Sequence, residues 1–250
     1  MASSRFPGKP LAKIRGIPMV GHVYFRSRMS KAMHEVYVAT CDKEIADYVE
    51  SIGGRAIMTS DSHERCTDRI AEATEKIIAT TGSEVDIVVN IQGDEPMLFP
   101  GMIDEAVRPM LEDSSIVTTN LAATIKTREE HEDPDVVKVV VDKDNYALYF
   151  SREPIPSRKK GATQVYALKQ VPIIPFRRDF LFKFNRLEPT PLEKIESIDM
   201  LRAIEHGYRV KMILTNYETY GVDTPENLRF VEERMKKDLL FNKYSASRSG

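Results

Sequence analysis

Val85-Asp86-Ile87-Val88-Val89-Asn90-Ile91 runs into Gln92-Gly93-Asp94-Glu95-Pro96, so an apolar run ends in an amide, a glycine, two carboxylates and a proline. A run of this length, rich in Val and Ile, reads as a strand buried on both faces of a parallel sheet. Open α/β sheets bind their ligands at the carboxyl ends of the strands, so this strand delivers Asp94 to a site. A carboxylate so placed suits a divalent metal.

Outward from it, strand and helix signals alternate. Glu35–Thr40 reads as a strand, and Asp42 can cap a helix from Lys43 to about Ile52, which Gly53-Gly54 terminates. Arg55–Thr59 is a second short strand, and Ile70, Ala73, Ile77 and Ile78 recur at helical spacing over Thr67–Thr80. This β-α-β-α-β order predicts parallel strands with right-handed crossovers. Downstream come a helix over Gly101–Leu111, a strand over Ser115–Ala123, and a hairpin of Val136–Asp142 with Asn145–Ser151. Glu153–Gln170 loses periodicity and gains Pro154, Pro156, Arg158, Lys159, Lys160 and Gly161, the composition of a mobile loop over a site. Beyond it the pattern predicts a strand over Val171–Phe176 and a helix from Pro191 to Gly207. A strand over Val210–Thr215 follows, then a last helix opening at Asp223-Thr224-Pro225-Glu226 and running to about Leu239. Asn242–Gly250 reads as a frayed tail.

At 250 residues the chain suffices for one substantial α/β core, and one domain with an insertion is the expectation. A formal net charge of −2 gives no bulk attraction to nucleic acid or to a membrane surface. The two cysteines, Cys41 and Cys66, match neither a zinc site nor a disulfide framework and fit a reducing compartment. No apolar run reaches the roughly 18 to 20 residues that cross a bilayer, and the amino terminus lacks a signal segment, so the expected location is cytoplasmic.

Four constellations carry chemistry. Ser3-Ser4-Arg5-Phe6-Pro7-Gly8-Lys9-Pro10-Leu11 is a hydroxyl-rich basic loop whose backbone N–H groups and lysine suit a polyphosphate; the alternative is a solvated basic terminus. Asp94 and the distant Asp223 can share one hard cation, with the remaining positions left to phosphate oxygens and water; the alternative for Asp223 is a helix cap, which can also be a ligand. Arg152, at the end of a strand in Phe150-Ser151-Arg152-Glu153-Pro154, has a fork suited to a carboxylate or phosphate, or to a surface ion pair. His63-Glu64-Arg65-Cys66-Thr67-Asp68-Arg69 opens a helix whose amino end favours anions or an electron-rich base edge. His22, His34, His131 and His206 lack partners at metal or triad spacing and are assigned to structure. No Gly-x-Ser-x-Gly elbow, His-Glu-x-x-His helix or dinucleotide-binding glycine fingerprint occurs.

Seven motifs, in order over almost the whole chain, resemble the 3-deoxy-manno-octulosonate (Kdo) cytidylyltransferases, or CMP-Kdo synthetases. They are Arg5-Phe6-Pro7-Gly8-Lys9-Pro10-Leu11, Asp68-Arg69, Asn90 to Pro96, Val137-Lys138-Val139-Val140, Ala147 to Arg152, Pro191-Leu192-Glu193 and Gly221 to Glu226. The resemblance implies a three-layer nucleotide-diphospho-sugar transferase fold of the α/β class with a mixed, mostly parallel central sheet. It implies one cytidylyltransferase domain over 1–250, with an acceptor-binding and dimerisation subregion near 150–190. The implied reaction moves CMP from CTP to a 2-keto-3-deoxy sugar acid and releases pyrophosphate, with Mg2+ as cofactor and a homodimer as the active form. Carried over by position, Ser3, Ser4, Arg5, Lys9, Thr67, Arg69 and Gln92 bind CTP. Asp94 and Asp223 hold the metal, and Lys9, Asp94, Asp223 and Arg152 form the catalytic set. Gln92, Arg152, Gln170, Ile174 and Asp199 meet the acceptor.

Two departures stand out. Family members begin with a strand ending in Pro-Ala-Arg upstream of the basic loop, whereas this chain starts inside that loop, which predicts reduced stability and weak CTP binding for residues 1–250. Where Kdo enzymes carry His-x-Gly-x-Tyr, this chain has Gln170-Val171-Pro172-Ile173-Ile174, and their Glu-Gln pair becomes Asp199-Met200. Buried polar sites discriminate strongly, so these changes point to a smaller or less hydroxylated acid such as a modified ulosonate or a phosphonate, with a sialic-type acid as a further alternative acceptor. The competing class is a non-catalytic homologue that keeps the fold and the dimer surface.

Overall fold

Short β-branched runs separated by amphipathic segments form the elements of this chain, and a computed structural model describes residues 6–160, 166–218 and 220–245. In chain order the first elements are β1 (Lys13–Ile14), β2 (Ile17–Pro18), α1 (Met19–Ser27), β3 (Tyr37–Thr40), α2 (Lys43–Ser51) and β4 (Arg55–Met58). Next come α3 (Cys66–Thr81), β5 (Ile87–Ile91), α4 (Pro100–Glu112), β6 (Thr119–Thr124), α5 (Arg128–Glu132), β7 (Lys138–Val141) and β8 (Ala147–Ser151). The remainder is β9 (Leu168–Val171), β10 (Ile173–Arg177), α6 (Arg178–Arg186), α7 (Pro191–Glu196), α8 (Met200–Glu205), β11 (Lys211–Thr215), α9 (Pro225–Met235) and α10 (Leu239–Ser245). The chain divides into two compact units, one of Met1–Ser62, Gln92–Asp104 and Thr219–Gly250, the other of His63–Ile91 and Glu105–Glu218.

In the first unit, β1 and β2 pair antiparallel across Arg15-Gly16, both at positive φ, the conformation of a tight hairpin turn. The predicted β-α-β step is present: β3 and β4 pair in parallel with Tyr37 opposite Arg55, and Gly53 at φ 74 ends the helix between them. The core joins Ile14, Ile17 and Met19 to Val222, Val231, Met235, Phe241 and Tyr244. Residues 242–245, read as fraying tail, continue α10, because Phe241 and Tyr244 on that helix bury their rings here. The last long helix ends earlier than predicted, at Met235.

In the second unit a five-stranded sheet has the order β11-β6-β9-β7-β8, and β5 pairs with β10. The fold is mixed α/β, as expected, with parallel pairs β3–β4 and β6–β11; the other pairs among the described residues are antiparallel. The expected parallel partner of β5 is replaced by antiparallel β10, with Ile91 opposite Ile173 and Val89 opposite Pro175. Its apolar side chains are half-buried and only Asn90 is buried. A run of Val and Ile signals burial without signalling the direction of a partner contributed by a distant segment. The single strand expected over Val171–Phe176 is two strands: Pro172 has no N–H for the ladder, so β9 pairs with β6 and β7 before it and β10 pairs with β5 after it. The single helix expected from Pro191 is broken at Ser197, whose φ is 54. Phe176, Phe180 and Phe184 centre the core of this unit. Of the loop predicted over Glu153–Gln170, the part to Lys160 is irregular, 161–165 lie outside the described residues, and β9 begins at Leu168. Among the described residues no helix is long and apolar enough to cross a membrane.

Candidate active site

In the first unit, Gly8 at φ 73 turns the chain into the 3-10 turn Lys9–Leu11. Glycine occupies that left-handed position without a Cβ penalty, and the turn presents Lys9. Its Nζ donates to Asp223 Oδ1 at 3.2 Å and lies 3.6 Å from Asp94 Oδ2. Asp94 itself lies three residues beyond β5, and its carbonyl accepts from Val222 N at 2.9 Å. The α9 cap is Thr224, whose hydroxyl accepts from Asn227 N, so capping leaves the Asp223 carboxylate available. Asn227 Oδ1 in turn accepts from the backbone N–H of Asp223 and of Thr224. Three groups that the sequence separates widely therefore converge within this unit.

Burial pushes the Asp94 carboxyl above its ordinary range; the Lys9 ammonium pulls it back down and the Asp223 charge pushes it up again. Asp94 Oδ1 is buried with no hydrogen-bond partner among the described residues. An orphaned hard oxygen of this kind asks for a cation or a donor. No group of three or more His, Cys, Asp or Glu side chains gathers as a metal cage among the described residues. Two carboxylates without such a cage suit Mg2+, which keeps most of its positions for phosphate and water. Gln92 belongs to the same unit and is half-buried; Ser3, Ser4 and Arg5 lie outside the described residues.

In the second unit, the α3 amino end is tied to the helices after Pro191. Thr67 Oγ1 donates to Asp199 Oδ2 at 2.9 Å, joining a residue read as nucleotide-binding to one read as acceptor-binding. Burial pushes Asp199 up, against the Thr67 hydrogen bond and the Arg65 charge. Arg65 also pairs with Glu193, a carboxylate 1% exposed that receives both Nε and Nη2 of Arg202 at 2.9 and 2.8 Å. Arg69 is half-buried on the first turn of α3, and Cys66 Sγ accepts from Asn90 Nδ2 at 3.3 Å.

Arg152 is held by main-chain acceptors. Its Nε donates to Glu196 O and its Nη1 to Pro134 O, at 2.8 and 2.9 Å, while its backbone N–H donates to Glu196 Oε2 at 2.8 Å. Burial pushes Glu196 up, but donors from Arg152, Ser151 and Tyr149 together outweigh it and hold the carboxyl low. Lys138, which lies in a resemblance motif without an assigned role, is buried with its ammonium on the carbonyls of Asp133, Val136 and Arg152, and burial lowers its pKa. Gln170 Nε2 donates to Asn120 Oδ1 at 2.6 Å, and the Asn120 amide donates to the carbonyls of Leu121 and Val171. Ile174 is 4% exposed in the core of this unit. Glu196 and Asn120 were not singled out from sequence, because spacing says nothing about partners 44 or 50 positions away, and Glu193 closed a resemblance motif without an assigned role. Of the histidines, His22 bonds Tyr244 and Ile14, His131 bonds Ile155 O and His206 bonds Glu188 O, as structural residues do.

Residues 1–216 match the family model described as cytidylyltransferase. The chain is 47% identical over 246 residues to a 3-deoxy-manno-octulosonate cytidylyltransferase of Geotalea uraniireducens (strain Rf4), covering 94% of this chain and 96% of that one. It is 44% identical over 238 residues to the same-named protein of Thermodesulfovibrio yellowstonii, covering 92% and 93%. A solved structure of CMP:2-keto-3-deoxy-manno-octonic acid synthetase complexed with CTP matches with a TM-score of 0.87 at 39% identity, covering 95% of each chain. A 4-diphosphocytidyl-2C-methyl-D-erythritol synthase from Anaerococcus prevotii, at 13% identity and a TM-score of 0.59, shares the fold alone. The convergence of Lys9, Asp94 and Asp223 thus sits in a nucleotidyltransferase, and the chain belongs to the cytidylyltransferase family, among the 3-deoxy-manno-octulosonate cytidylyltransferases.

Proposed function

We propose that the protein is a Mg2+-dependent enzyme that transfers CMP from CTP to the anomeric hydroxyl of a 2-keto-3-deoxy sugar acid of the Kdo type. The observation that carries this reading is Lys9 held between Asp94 and Asp223, in a chain whose relatives bear that activity in their names. In the reaction the acceptor oxygen bonds to the α-phosphorus while the bond from that phosphorus to the β-phosphate oxygen breaks. The electron pair leaves with pyrophosphate and the hydroxyl proton passes to solvent. Such a transfer needs positioning and charge neutralisation more than a strong base. Lys9 supplies one fixed positive charge for the triphosphate, with Thr67, Arg69 and Gln92 as further CTP contacts. Asp94 and Asp223 would hold Mg2+, which when bound neutralises phosphate charge and lowers the pKa of an attacking hydroxyl. Arg152 and Gln92 are assigned to the acid end of the acceptor, and Gln170, Ile174 and Asp199 to the rest of it. The active form is a cytoplasmic homodimer, a reading that sedimentation at micromolar concentration tests.

A second acceptor class has its own support. Gln170 is tied to Asn120 and Ile174 is an apolar core residue, so this wall offers few groups for sugar hydroxyls. A smaller or less hydroxylated acid, such as a modified ulosonate or a phosphonate, would suit it. Pyrophosphate release with each nucleoside triphosphate, screened against Kdo, sialic-type acids and small phosphonates with Mg2+, decides between them. A requirement for CTP and Kdo supports the first reading, turnover only with another acid supports the second, and no release with any pair overturns both.

A further inference from the structure

We propose that Glu95 is a positioning residue, whose carboxylate suspends the Tyr220-Gly221-Val222 segment so that Asp223 faces Asp94. Glu95 is only 7% exposed, and its Oε2 accepts from Tyr220 N at 3.0 Å. A Cβ built on Gly221 would come 3.9 Å from Glu95 Oε1, so the carboxylate lies along this segment. The adjacent residue holds the same segment by a different group, since Asp94 O accepts from Val222 N at 2.9 Å. Alternate N–H groups of one segment are thus taken by a side chain and a carbonyl of neighbouring residues. From the other direction Asn227 Oδ1 accepts from Asp223 N at 3.1 Å. With its backbone held on both sides, Asp223 directs its side chain to Lys9, which also faces Asp94.

The two successive carboxylates therefore divide the work. Asp94 gives its side chain to the cluster and its carbonyl to the segment, whereas Glu95 gives its side chain to the segment. A buried carboxylate is tolerated only where donors reach it, and a charged acceptor makes a stronger bond to N–H than a neutral one. Placement matters here, because displacing one arm of a two-carboxylate clamp by about 1 Å loosens what it binds. The proposal rests on reading Asp94 and Asp223 as cation-holding.

Glu95→Met removes the acceptor at similar volume, and Glu95→Gln keeps a carbonyl oxygen that can accept from Tyr220 N. Two measurements on the full chain are compared across both variants, with Asp94→Asn as control. One is hydrogen exchange of the peptide spanning 220–223; the other is the affinity for Mn2+ in the presence of CTP, read by electron paramagnetic resonance. The expected result is faster exchange of that peptide and about tenfold weaker Mn2+ binding in Glu95→Met, both largely restored in Glu95→Gln. Unchanged exchange in Glu95→Met overturns the proposal. Faster exchange with unchanged Mn2+ affinity also overturns it when Asp94→Asn does weaken Mn2+. If Asp94→Asn leaves Mn2+ affinity unchanged, the cation reading itself fails and the proposal falls with it. Should Glu95→Met not fold, as judged by circular dichroism, Glu95→Ala takes its place in the same comparison.

Discussion

Lys9 Nζ donates to Asp223 Oδ1 at 3.2 Å although 214 positions separate the two residues in sequence. With Asp94 Oδ2 at 3.6 Å from the same ammonium, Lys9 holds two carboxylates at one point that would otherwise repel each other. Lys9→Met removes that charge while keeping most of the stem. Turnover should fall by about 100-fold, as when one preorganised charge-stabilising group is removed from a site. The sign of the pH effect follows from the Asp94 environment: burial already pushes its carboxyl up and Lys9 opposes this. Without Lys9 the carboxyl rises further, so the acidic limb of the kcat/KM profile moves to higher pH. An unchanged profile in an active, folded Lys9→Met protein would remove Lys9 from the cluster.

Thr67→Val tests the link from the α3 amino end to Asp199. The hydroxyl donates to Asp199 Oδ2 at 2.9 Å, and burial holds the Asp199 carboxyl above its usual range. Because the folded-state pKa is raised, this group's contribution to stability is present at low pH and lost as pH rises through the raised value. Removing the donor widens that loss. Thr67→Val should cost about 1–3 kcal/mol at pH 7 and less at pH 4, measured by urea unfolding. Equal losses at both pH values would show that the carboxylate does not depend on this hydroxyl.

The local elements were legible where a residue's own chemistry sets its conformation. Gly53 ends α2, Pro225 opens α9, and Ile70, Ala73 and Ile77 trace one helix, because each signal acts within a turn or two. The pairing of Asp94 with Asp223 was read from two carboxylates near strand ends that can share one hard cation, whereas Lys9 was read separately as a polyphosphate contact, so its ion pair with both carboxylates was not foreseen. What stayed hidden was pairing at a distance. Nothing in Val85–Ile91 announces an antiparallel partner at Ile173–Arg177, and nothing in Pro191–Glu196 announces that Glu196 will meet Arg152. The cap reading of Asp223 failed by one residue, since Thr224 also carries an oxygen able to accept from Asn227 N. Segments 19–27, 128–132 and 178–186 passed without a helix prediction. The last, Arg178–Arg186, packs Phe180, Leu181 and Phe184 into the core although its composition is rich in charge.

Glu193 is the buried charge whose loss should cost most. Arg202 reaches it through two nitrogens, Arg65 pairs with the same carboxylate, and its Oε2 accepts from Thr190 N at 3.1 Å at the start of α7. Glu193→Ala strands two guanidinium groups, one of them almost fully buried, and should destabilise by about 3–5 kcal/mol. Glu193→Met with Arg202→Met together removes both members of the central pair and should cost less than Glu193→Ala alone. Denaturant midpoints of the single and double variants measure this directly, and simple additivity of the two single losses would mean that the pair does not act as a unit.

His22 should make the fold acid-sensitive. It is 0% exposed, with Nε2 at 2.9 Å from Ile14 O and Nδ1 at 2.8 Å from the Tyr244 hydroxyl. A carbonyl can only accept, so Nε2 carries the proton and Nδ1 accepts from Tyr244, whose oxygen in turn accepts from Arg26 Nε at 3.2 Å. Adding a second proton at Nδ1 would oppose the Tyr244 donor in a buried place beside Arg26. Burial first, and the Arg26 charge with it, lower the His22 pKa from 6.5 to about 4 against the pull of the Ile14 carbonyl. The folded state therefore binds fewer protons than the unfolded chain between those values, and stability rises with pH across that window. As pH falls from 6.5 to about 4 the protein should lose up to about 3 kcal/mol through this one group. His22→Gln can donate its amide to Ile14 O and does not titrate, so its stability should be lower at pH 7 but flatter between pH 6.5 and 4. Thermal unfolding of both proteins across that range measures the difference in slope. Parallel slopes would assign the acid sensitivity to other groups and show that His22 is not the proton-linked residue of this core.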